Sequence, residues 1–316
     1  MDVTKVARGI LFLVPALFAL VSASADAFTM SPYVQAYYMS GDAGYEIKGT
    51  EKGAAPGPFD SKLRFNFDNM GIEGGSFFHV SDRVQLRFSG WSTLFRDVGS
   101  MSDRDWLESG SITVSSNSDQ QMHAWGVRGE FRYWVIKGET FSLAPSSQVL
   151  YDYYFFRALN TDQRSSDPNF NTGKMYGLAS TYEQQNVSWL VGVVLKWNPA
   201  SWFQVEWTGS YSPVTYVWDR DNHVLRSKLS TGKGVAYAFQ TALHPDFILW
   251  KRVSIGPWAS YFYMGDYWGE QDQSWYSGPK EGQKNTGISD NITRQHWAAG
   301  GRIVVGLDIG SSTPSD

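Results

Sequence analysis

The run W-F-Q-V-E-W-T-G-S-Y-S-P-V-T-Y-V, Trp202 to Val217, sets Phe203, Val205, Trp207 and Tyr211 against Gln204, Glu206, Thr208 and Ser210. Side chains of an extended backbone alternate between two faces, so this run reads as a β-strand with one apolar and one polar side. It delivers the chain to V-W-D-R-D-N-H-V-L, Val217 to Leu225, where Asp219, Asp221 and His223 recur at alternate positions and face one way. An imidazole beside a carboxylate is the usual means of orienting a general base and stabilising its charged form. A second alternating acidic stretch, M-S-D-R-D-W, Met101 to Trp106, carries Asp103 and Asp105 past the end of an earlier strand.

The same period recurs along the chain. Pro32–Ser40, Ser61–Asp68, Arg83–Leu94, Met122–Ile136, Phe141–Leu159, Met175–Trp197, Gly234–Ala242, Arg252–Trp268 and Ile292–Leu307 join Trp202–Val217 as predicted strands. The connections alternate in length. Short links fall at His79–Asp82, Lys137–Glu139, Asn198–Ala200 and His244–Asp246. Long polar ones fall at Gly41–Asp60, Phe95–Gln120, Asn160–Lys174, around Asp219–His223, and at Gly269–Ser289. Even strand number, period two and alternating loop length predict an all-β fold, a ten-stranded antiparallel transmembrane β-barrel of the outer-membrane type. Both acidic clusters then fall on loop edges at the outer rim.

The polar faces place Arg64, Arg87, Arg128, Glu130, Arg132, Glu206 and Arg302 in the lumen. Charges of both signs there would pair and fill a narrow interior, which argues against a porin. A soluble β-sandwich shares the alternation but not the alternating loop lengths. Pro257 sits inside a predicted strand, where a closed sheet tolerates proline only at a bulge.

The N-terminus reads as a secretory signal. Lys5 and Arg8 precede an apolar run, Gly9 to Val21, and Ala23–Ala27 holds two overlapping A-x-A cleavage options. The expected organisation is a signal peptide over 1–27, one barrel over 28–310 and a polar tail over 311–316. Aromatic residues make up 16% of the chain, high for a soluble enzyme and usual for a barrel with aromatic girdles. The absence of cysteine rules out a thiol nucleophile, thiolate metal sites and disulfides. A net charge of −4 gives no basis for nucleic-acid binding.

Taken together and in order, G-W-S-T-L (Gly90–Leu94), M-S-D-R-D-W and D-R-D-N-H (Asp219–His223) resemble the signatures of the omptin family of outer-membrane proteases. The likeness in strand and loop order spans about Ser40 to Leu307. It implies a bacterial outer-membrane barrel with a peptidase groove at its extracellular rim. By that resemblance Asp221 and His223 form the family's Asp–His dyad, and Asp103 and Asp105 its facing aspartate pair. His223 would activate a water, Asp221 would hold the ring, and two close aspartates would share a proton and bind the same water.

The resemblance also implies polypeptide substrates cleaved at basic residues, with Asp219 as one acid of the pocket. Its partner from the first outer loop would be Glu46, if one residue is inserted after Ser40-Gly41; Asp42 lies nearby. No metal or other cofactor is expected. Lipopolysaccharide is the family's wall ligand; here the matching stretch reads Gln184-Gln185-Asn186-Val187, and Tyr151–Phe156 supplies aromatics. Each motif alone reads as solvated loop charge. A calcium loop around Asp103 and Asp105 is broken by Trp106-Leu107. The competing function is an adhesive or structural barrel without an intact dyad.

Overall fold

A computed structural model describes residues 28–48, 59–94, 96–107, 112–166, 172–250 and 252–309. The expected signal peptide and polar tail lie outside the described residues. The strands are β1 (Phe28–Lys48), β2 (Phe59–His79), β3 (Val84–Thr93), β4 (Arg96–Leu107), β5 (Ile112–Tyr133), β6 (Ile136–Lys137), β7 (Phe141–Ser165), β8 (Gly173–Ala200), β9 (Phe203–His223), β10 (Lys228–Trp250), β11 (Val253–Trp275), β12 (Lys284–Val305) and β13 (Leu307–Ile309). β3 and β4 occupy one position between β2 and β5, while the short β6 and β13 extend the sheet beside β7 and β1. That leaves ten long antiparallel strands. β1 pairs with both β12 and β2, closing the ring into a barrel.

The strands run far beyond the predicted ones. Most span 21 to 28 residues, whereas a tilted strand crosses a bilayer in about 9–11. About half of each strand therefore stands clear of the membrane. In the lower half the outward side chains are apolar, as with Trp189, Val191, Val193 and Trp197 on β8 and Phe239, Leu243 and Phe247 on β10. In the upper half both faces carry polar residues, so the alternation fades and the sequence there resembles loop. Phe95–Gln120, expected as a long loop, is largely β4 and β5; the Asp219–His223 cluster ends β9.

Two further expectations change. His244-Pro245-Asp246 is not a link but lies within β10. The β10–β11 ladder pairs Leu243 with Ala259 and resumes at Phe247 with Ile255, so Pro245 and Pro257 face the same interval. A missing N–H is tolerated there. Gly256 is needed beside them, because a Cβ would collide with the Pro245 carbonyl oxygen. Arg64, expected in the lumen, points outward to Asp42, since Leu63, Phe65 and Phe67 take the inner face of β2.

The interior is packed. From the periplasmic end upward, Arg302 bonds Asp246 at 2.5 Å and Arg132 reaches Glu206 at 3.1 Å and Glu130 at 2.8 Å. Arg87 bonds Glu73 at 2.8 Å. Higher still, Arg294 bonds Asp152 at 2.7 Å between the rings of Tyr154 and Phe262. A stack of aromatic rings closes the top, with Phe65 4.9 Å from Phe156 and 4.8 Å from Tyr182. These pairs and rings pack the lumen beneath the rim.

Buried charges are destabilising once unpaired. Arg132→Ala leaves Glu206 without its ion-pair partner and Glu130 with Arg87 alone, at 3.6 Å. It should lower unfolding free energy by about 3–5 kcal/mol, read from urea titration of the refolded protein by its heat-modifiable gel mobility.

Candidate active site

The upper part of β9 turns Val217, Asp219, Asp221 and His223 inward. His223 lies between Ser180 of β8 and Lys228 of β10, and Asp221 between Tyr182 and Ser230. Across the lumen, β4 turns Asp103 inward, flanked by Leu63 and Ser116. Asp103, Ser116, Ser180 and His223 line one cleft of about 190 Å³ together with Arg226. Apart from Arg226, these residues sit on strands in register with their neighbours, not on loop edges as the sequence suggested, so the hydrogen-bonded ladders fix their spacing.

Asp221 is the most heavily bonded group in the site. His223 Nε2 lies 2.7 Å from its Oδ2. Tyr45 donates its hydroxyl to the same oxygen at 2.5 Å, and Ser180 donates to Oδ1 at 2.7 Å. Burial alone would raise the Asp221 pKa; the positive imidazolium and these donors outweigh it and hold the carboxylate at about 2. Burial pulls His223 below its ordinary value of 6.5 against the attraction of Asp221, with Lys228 and Arg226 adding to the fall. At neutral pH the pair is thus carboxylate and neutral imidazole. With Nε2–H donated to Asp221, Nδ1 is the basic nitrogen.

Asp103 behaves oppositely. Burial first, and the charge of Asp105 second, push its pKa up to about 7. Arg226, at the end of the 3-10 turn Val224–Arg226, tempers this rise; it stands 3.8 Å from Asp103 and 3.7 Å from Asp105. The cleft therefore confronts an unprotonated base with a carboxyl group that holds its proton near neutrality. That is the asymmetry expected of an acid–base site.

Four of the six candidate residues, Asp103, Asp105, Asp221 and His223, converge on this cleft and its rim. Asp219 lies two residues below Asp221, buried, with Tyr182 donating to its Oδ2 at 3.1 Å. Glu46 does not join it. Tyr45 points inward on β1, so Glu46 must point out, where it pairs with Lys62 at 3.2 Å and Lys48 at 3.6 Å. The alternative, Asp42, is also on the outer wall, bonded by Gln295 at 2.9 Å and near Arg64.

Tyr45, Ser180 and Arg226 escaped the sequence reading. The alternation of Ala43, Tyr45 and Ile47 was a usable signal for the first. Ser180 and Arg226 sit in polar surroundings that mark nothing.

The rim cleft of this barrel thus sets an aspartate–histidine pair opposite a carboxyl pair. The sequence profile of the Omptin family matches residues 56–277, and this chain belongs to that family of outer-membrane proteases. Its place is accordingly the bacterial outer membrane. Among solved structures, the outer membrane protease OmpT from Escherichia coli shares the fold at TM-score 0.79 and 15% identity, covering 90% of this chain and 99% of that one. The outer membrane protein OprG from Pseudomonas aeruginosa reaches only 0.39 at 8% identity, over 87% of this chain and 95% of its own. Comparison with curated protein sequences gives no match.

The electrostatics can be checked directly. Because Asp221 raises the His223 pKa, Asp221→Asn should lower it further, measured as the histidine ring titration by NMR in micelles.

Proposed function

We propose that this protein is an endopeptidase that cleaves polypeptides at the cell surface with a water activated by His223. The observation that carries the reading is the confrontation of the unprotonated His223, held by the Asp221 carboxylate, with Asp103 across one cleft above the membrane. A water between them gives a proton to His223 Nδ1 as its oxygen attacks the scissile carbonyl. Asp221 stabilises the imidazolium that results. Asp103, its proton held near neutrality by burial, binds the water and the tetrahedral oxygen, and the Arg226 guanidinium adds positive charge where the oxyanion develops. His223 then returns its proton to the leaving amine. No serine or cysteine nucleophile enters this scheme.

Cleavage beside basic residues is part of the proposal. Asp219 lies on the same side of β9 as the dyad and places an acid below the scissile position. Family membership supports peptide hydrolysis; the intact dyad favours it over a purely adhesive barrel. On the wall stretch where the family resemblance places a basic residue for lipopolysaccharide, Tyr151 instead donates its hydroxyl to the outward Gln185 at 3.1 Å.

With fluorogenic peptides and refolded protein, His223→Ala should lower kcat by about 10²–10⁴-fold while leaving the heat-modifiable fold intact. Unchanged turnover would return the protein to the adhesive class. The pH profile of kcat/KM should be a bell. Its rising limb follows loss of the His223 proton below pH 6.5, and its falling limb lies near pH 7, where Asp103 loses its own. Asp103→Asn should remove the falling limb.

A further inference from the structure

Most of the groups that fix the dyad lie on β8, β9 and β10; one comes from β1, the strand whose pairing with β12 and β2 closes the barrel. Tyr45 turns inward near the upper end of that strand. Its hydroxyl donates to Asp221 Oδ2 at 2.5 Å, the oxygen that also faces His223 Nε2 at 2.7 Å, and it stands 3.5 Å from that nitrogen. The side chain is 3% exposed, and its ring lies 5.8 Å from Tyr182, which stacks on Phe65. Packing against these rings holds the phenol where it is.

Oδ2 is thus one acceptor shared by two donors. A hydrogen bond to a carboxylate favours its charged form, and it draws on charge that would otherwise bind the imidazole proton. Asp290 of β12, which faces Asp219 across Gly232, shows the alternative. It is buried, neither of its oxygens has a donor in bonding geometry, and burial, with Asp219 beside it, raises its pKa well above the ordinary value. Asp221 is as deeply buried, and against that burial the imidazolium, Ser180 and Tyr45 keep it charged.

The surroundings of His223 show where this matters. Burial lowers its proton affinity and Asp221 raises it, while Lys228, its neighbour on β10, and Arg226 in the turn lower it further. On β4, Asp103 and Asp105 face Arg226 at 3.8 and 3.7 Å, and Ser180 on β8 is uncharged. Asp221 is therefore the group that draws a proton onto the ring, and Tyr45 acts on that contact.

We propose that Tyr45 is a positioning residue for the dyad: its hydroxyl fixes the Asp221 carboxylate and shares Oδ2 with the His223 N–H, so that Nδ1 serves as a free base in mildly acid as well as neutral water. The catalytic meaning of this role rests on the peptidase reading; the hydrogen bonds do not. With Ser180 donating to Oδ1 at 2.7 Å and Tyr45 to Oδ2, the carboxylate is held at both oxygens and stays turned toward Nε2. By sharing Oδ2, Tyr45 also weakens the hold of Asp221 on an added proton.

The test deletes the hydroxyl and keeps the ring. In refolded Tyr45→Phe protein in micelles, the His223 ring should titrate about 0.4–1 pH unit higher than in wild type, the equivalent of one hydrogen bond. Tyr154→Phe, which removes another buried phenol hydroxyl lower in the lumen, should leave that titration in place. In wild type, the ring nitrogen shifts should place the proton on Nε2; a proton on Nδ1 overturns the shared acceptor. With a fluorogenic peptide, the rising limb of kcat/KM should move up with the titration. Tyr45→Phe then loses about 3- to 10-fold near pH 5.5, a deficit that narrows as pH rises.

A His223 titration that stays put or falls in Tyr45→Phe overturns the proposal. So does a loss of kcat/KM that is equal at every pH, the mark of a merely structural hydroxyl. A wild type that cleaves nothing overturns the peptidase instead, and the NMR comparison then judges Tyr45 alone.

Discussion

Everything in this barrel depends on the period of two in a closed antiparallel sheet. Each inward side chain commits its neighbours to the outside, and closure leaves no edge at which a strand can slip. Tyr45 points in to Asp221, so Glu46 points out to Lys62. Phe65 points in to the aromatic stack, so Arg64 points out. Asp219, Asp221 and His223 line the interior because Trp218, Arg220 and Asn222 do not. The site is a consequence of register rather than of loop folding.

The interior converts that register into chemistry. Ion pairs fill the membrane-embedded part, and the aromatic stack of Phe65, Phe156 and Tyr182 separates them from the rim. Above the stack the carboxylates meet a dry floor on one side and water on the other. Where donors converge, as on Asp221, charge is retained; where they are missing, as on Asp103 and Asp290, the proton is retained. One acidic cluster thus holds groups of opposite protonation within one barrel mouth, through differences in hydrogen bonding and not in residue type.

With Tyr45 occupying the inward position on β1, the second acid near Asp219 comes from β12, across a glycine on β10. A side chain larger than hydrogen at position 232 would separate the two acids.

Local sequence determined the class of fold. Period-two alternation and alternating link lengths marked ten strands, and lower, lipid-facing stretches such as Arg83–Leu94 and Phe141–Leu159 were legible because hydrocarbon demands apolar residues on one face only. Most upper halves, Ser61–Asp68 of β2 excepted, were not legible, because water on the outside and a polar site on the inside erase the contrast on which periodicity depends. The D-R-D-N-H and M-S-D-R-D-W stretches announced Asp103, Asp105, Asp219, Asp221 and His223 through short-range spacing. What only tertiary structure decided was distance across the lumen. Tyr45 on β1, Ser180 on β8 and Arg226 in its turn come to these acids from far along the chain. Asp290 reaches Asp219 from 71 residues away in the numbering, joined to it by the closing of the sheet. No local pattern encodes that approach, since it depends on how ten strands share one circumference.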